Sequence, residues 1–244
     1  MLSTPQNSGP DRAHSLADNA LAERLDALRQ RLSQIAQTSH RDVRSITLLA
    51  VSKGQEAARL RAALALGLTQ FGENYVDEAL GKIHALAGTA AEWHFIGHLQ
   101  ANKTRPVAEH FAWVHGVDRP RIAQRLSAQR PHHAPALNVC VQVNIAGERS
   151  KGGVAPAQAL PLMHAVAGLP RLKLRGLMCM LPFDLPAAQQ HRLFGAMREL
   201  RDAANVAGLG LDTLSMGMSG DYEAAIAEGA TLLRIGTALF GPRP

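Results

Sequence analysis

The sequence predicts an α/β protein: a single (β/α)8 barrel of the TIM type, with an amphipathic helix ahead of the first strand. Three observations point there. Eight short apolar runs alternate with helical patterns, the alternation is strict, and 244 residues suit one domain of barrel size. Parallel strands joined by helices pair through right-handed crossovers, and eight such units close on themselves.

Taken in order, residues 1–14 read as a flexible tail and residues 15–244 as the barrel domain. From Ser15 onward, Leu21, Leu25, Leu28, Leu32 and Ile35 recur at alternating spacings of four and three with charges between them, which is the pattern of an amphipathic helix. The repeat is short for a coiled coil, so its apolar stripe is expected to pack on the chain's own core. The strand candidates follow as "SITLLAV" (45–51), "TQFGE" (69–73), "EWHFIG" (92–97), "AWVHGV" (112–117), "LNVCVQVN" (137–144), "LKLRGLM" (172–178), "DTLSMG" (212–217) and "TLLRIG" (231–236). Helical stretches such as "EAARLRAALAL", "YVDEALGKIHAL" and "PAAQQHRLFGAMRELRDAANVA" separate them. An open doubly wound sheet is the alternative, and the absence of "GxGxxG" after the first strand counts against a dinucleotide-binding version of it. After the last strand "TALFGPRP" is too short for a covering helix, so the first helix is expected to fill that place.

Composition narrows the function classes. Hydrophobic residues at 46% and charged ones at 19% are ordinary for a globular chain. No run approaches the roughly 18 apolar residues of a membrane span, and the opening segment lacks the pattern of a secretory signal, so a cytoplasmic protein with no membrane partner is expected. Cys140 and Cys179 sit in apolar strand-like runs and read as small core residues rather than a disulfide. The net charge of +6 raises the question of nucleic acid, but the basic residues are scattered over helix faces and aromatics are only 4%, too few for a base-stacking platform. No nucleic-acid partner is expected, and an uncovered barrel of this size is expected to be a monomer.

In barrels of this type chemistry gathers at the C-terminal ends of the strands. Those ends carry Lys53, Glu73 and Asn74, His98, His115, Asn144, Met178, then Ser219, then Gly236 and Thr237. A lysine partly withdrawn from water has a lowered pKa, and its free amine condenses with aldehydes; the alternative is that Lys53 extends into solvent or pairs with Glu73. Ser219, Gly236 and Thr237 lie on the loops after strands seven and eight, where barrels commonly bind phosphate, and Asp221 is a candidate first-turn acid. Together the two ends suggest a phosphorylated aldehyde lying across the mouth. His94 and His98, four residues apart on a strand, would be about 13 Å apart, too far to share one metal ion. No metal site is expected.

The segments "AVSKGQ", "FGENYVDE", "WHFIGHLQANK", "QVNIAGERSKGGV", "LRGLM" and "LSMGMSGDYEAAIAEGATLLRIGTALFG" resemble, in order and spacing, the signature segments of the YggS/PROSC family of pyridoxal 5′-phosphate homeostasis proteins. The resemblance runs from the first strand to the C-terminus. It implies a barrel similar to the N-terminal domain of bacterial alanine racemase, with pyridoxal phosphate held as a Schiff base on Lys53. It further implies that Ser219, Gly236 and Thr237 contact the phosphate, that Arg234 lies near the pyridine nitrogen, and that Asn74 and Lys151 lie near the pocket. Gly54, Tyr75 and "MCMLPF" (178–183) depart from the family pattern.

An arginine opposite the pyridine nitrogen can only donate, which leaves that nitrogen unprotonated and the ring a weaker electron sink. Alanine racemases resemble this chain in that respect, but they take a catalytic tyrosine from a further C-terminal domain, and the sequence ends where such a domain would begin. The expected function is therefore a non-enzymatic carrier that holds pyridoxal phosphate and delivers it to apo-enzymes, with Lys151 as a transit amine. A racemase or decarboxylase using the same cofactor is the alternative.

Overall fold

Strands β1 (Thr47–Val51), β2 (Gln70–Glu73), β3 (Glu92–Phe95), β4 (Trp113–Val117), β5 (Leu137–Gln142), β6 (Leu172–Met178), β7 (Thr213–Ser215) and β8 (Leu232–Ile235) each fall inside the run expected for them. They pair in parallel and in chain order, and β1 pairs with β8 to close the barrel. The computed structural model describes residues 10–148 and 150–242, with side chains from residue 18 onward. Around the barrel lie α1 (Pro10–Thr38), α2 (Ala57–Ala65), α3 (Val76–Ala85), α4 (Thr104–His110), α5 (Pro120–Gln129), α6 (Pro156–Ala167), α7 (Ala187–Val206), α8 (Tyr222–Ala227) and α9 (Thr237–Phe240). Among the described residues no helix is long and apolar enough to cross a membrane.

The four-residue α9 leaves the last strand almost bare, and α1 fills the space. Leu21, Leu25, Leu28, Leu32 and Ile35 are all buried in the main core, and α1 packs on α9, α8 and α2. Its start differs from expectation. The helix begins at Pro10, so residues 10–14 are helical rather than tail, while residues 1–9 lie outside the described residues. Proline suits this first position because its missing N–H would have no partner there.

Strand side chains alternate between the lumen and the helical shell. The inward set runs Leu49, Val51 and Lys53 from β1; Gly72 and Asn74 from β2; His94 and Ile96 from β3; Trp113 and His115 from β4. Leu49, Val51, Ile96 and Leu232 form one apolar cluster, and Trp113, Cys140 and Met178 form another. Polar side chains, His94, His115, Ser215 and Arg234, are buried in this interior as well. Gly72 is closely packed there, since a Cβ would come within 3.1 Å of both Leu49 and Ile96. Arg175 is the extra residue of an irregularity between β5 and β6, where Val139 pairs with Leu174 but Cys140 with Gly176.

The packing of α1 has a measurable consequence. Leu25→Ala, which empties a site 1% exposed, should lower unfolding free energy in urea by about 3 kcal/mol, whereas exposed Asp26→Ala should change it by less than about 0.5 kcal/mol. Equal small effects would mean that α1 does not cover the barrel.

Candidate functional site

The inward alternation carries β1 past its end to Lys53, β2 to Asn74 and β8 through Arg234 to Gly236. These residues line a cleft of ≈ 670 Å³ at the C-terminal mouth, together with Ser219 and Thr237. All six residues expected to hold a cofactor are thus brought to one cavity. The rest of the lining is the loop after β6, Met180–Pro186, with Gln190 of α7, Met218, Gly220 and Asp221 after β7, and Val51 and Ile96 of the barrel.

Lys53 is half-buried, and both of its chain neighbours are tied to a buried ionic cluster. Lys82 Nζ donates to the Ser52 carbonyl (2.6 Å), Glu73 Oε1 (2.7 Å) and Glu78 Oε1 (2.6 Å). Ser52 Oγ donates to Glu73 Oε1 (2.6 Å), and the Gly54 N–H donates to Glu78 Oε1 (2.6 Å). Glu73 is fully buried and its Oε2 has no hydrogen-bond partner, so burial raises its pKa above the usual carboxylate range despite Lys82. Glu73, the carboxylate paired with Lys53 in the alternative sequence reading, is held through Oε1 by Lys82 and Ser52. Lys82 was missed in the sequence, although Glu78 and Lys82 stand four apart on one helix, a spacing that brings side chains together.

Arg234 is fixed more tightly. Nη1 donates to the Ser215 carbonyl (2.6 Å) and to Ser215 Oγ (2.8 Å), and Nη2 donates to the Cys179 carbonyl (2.7 Å). Three of the five guanidinium N–H bonds are thereby committed, and those remaining are on Nε and Nη2. Behind it, Ser215 Oγ lies 2.8 Å from His115 Nδ1, His115 Nε2 lies 3.0 Å from His94 Nδ1, and His94 Nε2 lies 3.2 Å from Glu92 Oε1. Burial lowers the pKa of His94, and burial together with the nearby His94 and Arg234 lowers that of His115 well below the usual range. Both shifts favour the neutral imidazole. Burial likewise pushes Cys140 and Cys179 up to about 12, so both are inert thiols.

In the loop after β7, Gly217 has φ +98°, and a Cβ there would come within 2.7 Å of the Ala225 Cβ. Only glycine makes this turn without strain. The loop that follows is closed by Asp221, whose Oδ1 accepts the Met218 N–H (2.6 Å); burial raises the pKa of this carboxyl. Ser219 Oγ accepts the Ala238 N–H (3.3 Å) from the first turn of α9, so a hydroxyl and a helix start meet at the cleft edge.

Five strand-end residues are not in the cleft lining, the first being Glu73 in its buried cluster. His115 lies inside the barrel rather than at its rim, because its position in β4 points into the lumen below the mouth. Met178 is buried against Trp113 and Cys140. Asn144 folds the loop before α6, donating to the Glu148 and Lys151 carbonyls. His98 is half exposed and sits 3.7 Å from Asp118, while His94 is bonded within the barrel. Lys151 does not line the cleft; its Nζ lies 5.0 Å from the ring centre of Phe183, an exposed residue of the cleft wall. The departing segment "MCMLPF" therefore supplies Met180 to Phe183 of that wall, while Gly54 uses its N–H to bind Glu78.

Comparison with known proteins agrees with this geometry. Residues 24–244 match the alanine racemase N-terminal domain family. A pyridoxal phosphate homeostasis protein of Pseudomonas aeruginosa is 56% identical over 225 residues, covering 92% of this chain and 96% of that protein. The chain belongs to the pyridoxal phosphate homeostasis protein family. PipY of Synechococcus elongatus, a solved structure with PLP bound, is 37% identical with a TM-score of 0.80, covering 91% of this chain and all of that one (100%). An alanine racemase from Corynebacterium glutamicum shares the fold at 18% identity and a TM-score of 0.72; the match spans 92% of this chain and 62% of the racemase.

The buried histidines set a pH dependence for this family member. Their folded pKa values lie below the ordinary 6.5, so below that pH the unfolded chain takes up protons that the native state refuses. Stability should be unaffected by these groups above about pH 7 and fall as pH drops from 6.5 toward 5. In thermal melts of ligand-free protein, His115→Gln should lose part of that acid slope; an unchanged slope would place the lost protons elsewhere.

Proposed function

We propose that this chain binds pyridoxal 5′-phosphate in the cleft, with Lys53 as the amine that captures its aldehyde, and keeps it available for delivery to apo-enzymes. The observation that carries this reading is the convergence of Lys53, Arg234 and the Ser219–Thr237 edge on one cavity. The cavity's own chemistry fits the group. Asn74 Oδ1 is buried without a hydrogen-bond partner and belongs to the lining. Unpaired acceptors of this kind are rare in native proteins and call for a donor, which water or a ligand hydroxyl supplies. Two guanidinium N–H bonds of Arg234 remain for a ring nitrogen. Ser219 and Thr237, on the loops after β7 and β8, would hold the phosphate.

When bound, pyridoxal phosphate supplies an electron sink, which Arg234 keeps weak by donating to the ring nitrogen instead of protonating it. The residues otherwise favour holding over turnover. The ionisable groups of the lining are Lys53, Asp184, Asp221 and Arg234, and among the described residues neither tyrosine belongs to it. Tyr75 is largely exposed, and Tyr222 packs at the start of α8. An acid/base opposed to Lys53 across a bound substrate is not provided by a tyrosine here, which supports a carrier over a racemase or decarboxylase. Lys151, whose Nζ lies 5.0 Å from the Phe183 ring centre, would receive the cofactor on its way out. The reading includes apo-enzyme recipients, a monomeric carrier and a cytoplasmic setting.

Protein incubated with pyridoxal phosphate should turn yellow and bleach on borohydride treatment, with the label mapped to Lys53. Lys53→Ala should lose the colour, and Ser219→Ala with Thr237→Ala should weaken uptake by about tenfold or more, as expected for lost charge-assisted hydrogen bonds. A label distributed over surface lysines would overturn the assignment. Chiral chromatography of an amino-acid panel after prolonged incubation tests the carrier reading, and turnover of any member would replace it with an enzyme.

A further inference from the structure

The lumen holds an unbroken line of polar contacts from the foot of the barrel to the floor of the cleft. It runs Glu92, His94, His115, Ser215, Arg234, with successive separations of 3.2, 3.0, 2.8 and 2.8 Å. His94, His115 and Ser215 are fully buried, Arg234 nearly so, and Glu92 opens to solvent at its far end.

The two ends of this line have no choice of role. A guanidinium only donates and a carboxylate only accepts. Ser215 and two neutral imidazoles each contribute one hydrogen and one acceptor, so four bonds can form in only one way. Arg234 donates to Ser215 Oγ, Ser215 donates to His115 Nδ1, His115 Nε2–H donates to His94 Nδ1, and His94 Nε2–H donates to Glu92. We infer that Glu92, His94, His115 and Ser215 form a one-way donor chain, and that the two histidines are positioning residues that hold Arg234 in its ligand-facing orientation.

The surroundings favour that order. The hydrogen bond from His94 keeps Glu92 ionised, and His94 is stacked on Trp113 with ring centres 5.3 Å apart. The charges facing the rings are Glu92, Arg234, and Arg175, which lies 4.7 Å over Trp113 and is paired with Asp212; Cys140 of β5 is un-ionised. Adding a proton to either ring reverses the bonds between it and Ser215. Ser215 Oγ then accepts from both sides and its own hydrogen has no acceptor. A change at His94 is thus felt at Arg234 without any intervening backbone movement.

The effect on the cofactor rests on the binding proposed above, but the chain itself does not, so the test separates them. Nitrogen-15 spectra of histidine-labelled, ligand-free protein at pH 7 should show both buried rings neutral, with Nε2 protonated and Nδ1 bare. An Nδ1–H tautomer or an imidazolium at either ring would overturn the inference. Glu92→Leu removes the terminal acceptor and should bring an Nδ1–H population at His115 as well as His94, whereas a change confined to His94 would break the chain. For the bound state, His115→Leu should raise the pyridoxal phosphate Kd about tenfold, and His115→Gln, which offers both an acceptor and a donor, should restore it to within about threefold. Equal behaviour of the two variants would reduce His115 to packing. Wild-type protein that takes up no pyridoxal phosphate would sink the cofactor reading, with the tautomers still deciding the chain.

Discussion

A guanidinium buried in the wall of a barrel has to be satisfied where it stands, and Arg234 is met by two backbone carbonyls and one hydroxyl. Among the described residues it has no carboxylate at ion-pair distance. Burying a cation costs several kcal/mol unless hydrogen bonds replace its hydration, so the Cys179 carbonyl, Ser215 and Arg234 must keep their places together. That requirement ties the end of β6 to β7 and β8. It also obliges the Ser215 hydroxyl to accept, which imposes a direction on everything behind it. The apolar side chains of the lumen form two separate clusters, Leu49, Ile96 and Leu232 in one and Trp113, Cys140 and Met178 in the other.

The lysine and the hydroxyls of the cleft are held differently, and the difference suits a molecule that must be held and later given up. At Lys53 the backbone on both sides is anchored to a buried cluster of two carboxylates and one ammonium, so the amine's position is set from below. Ser219 and Thr237, by contrast, are exposed, on a short loop and a four-residue helix. Groups that grip an anion at the solvent edge can exchange it for water with little rearrangement, while the amine that captures the aldehyde stays where the barrel puts it.

Much of this was legible before any coordinates. The eight strands could be read because each is a short apolar run bounded by turn residues, and the stripe on α1 because leucines spaced four and three leave no other face to bury. Lys53, Ser219, Gly236 and Thr237 were readable as a set because barrel strand ends share one rim. Asn74 was readable as a strand end, but its place near the pocket, like that of Arg234, entered through the family resemblance. The start of α1 was misread, since Pro10 marks a helix beginning as readily as a loop. His115 was placed at the rim by counting it as a strand end, whereas its position within β4 turns it into the lumen.

Local patterns such as hydrophobic period, turn chemistry and strand count are properties of neighbours along the chain, and they were enough to specify the barrel and the face where its chemistry lies. The partnerships that give the site its character join residues far apart in sequence: Arg234 with Cys179, Ser215 with His115, Lys82 with the Ser52 carbonyl. No periodicity encodes them, because each depends on the register and curvature of the closed sheet. Closure alone brings these donors and acceptors within bonding distance, and burial then makes their pairing obligatory.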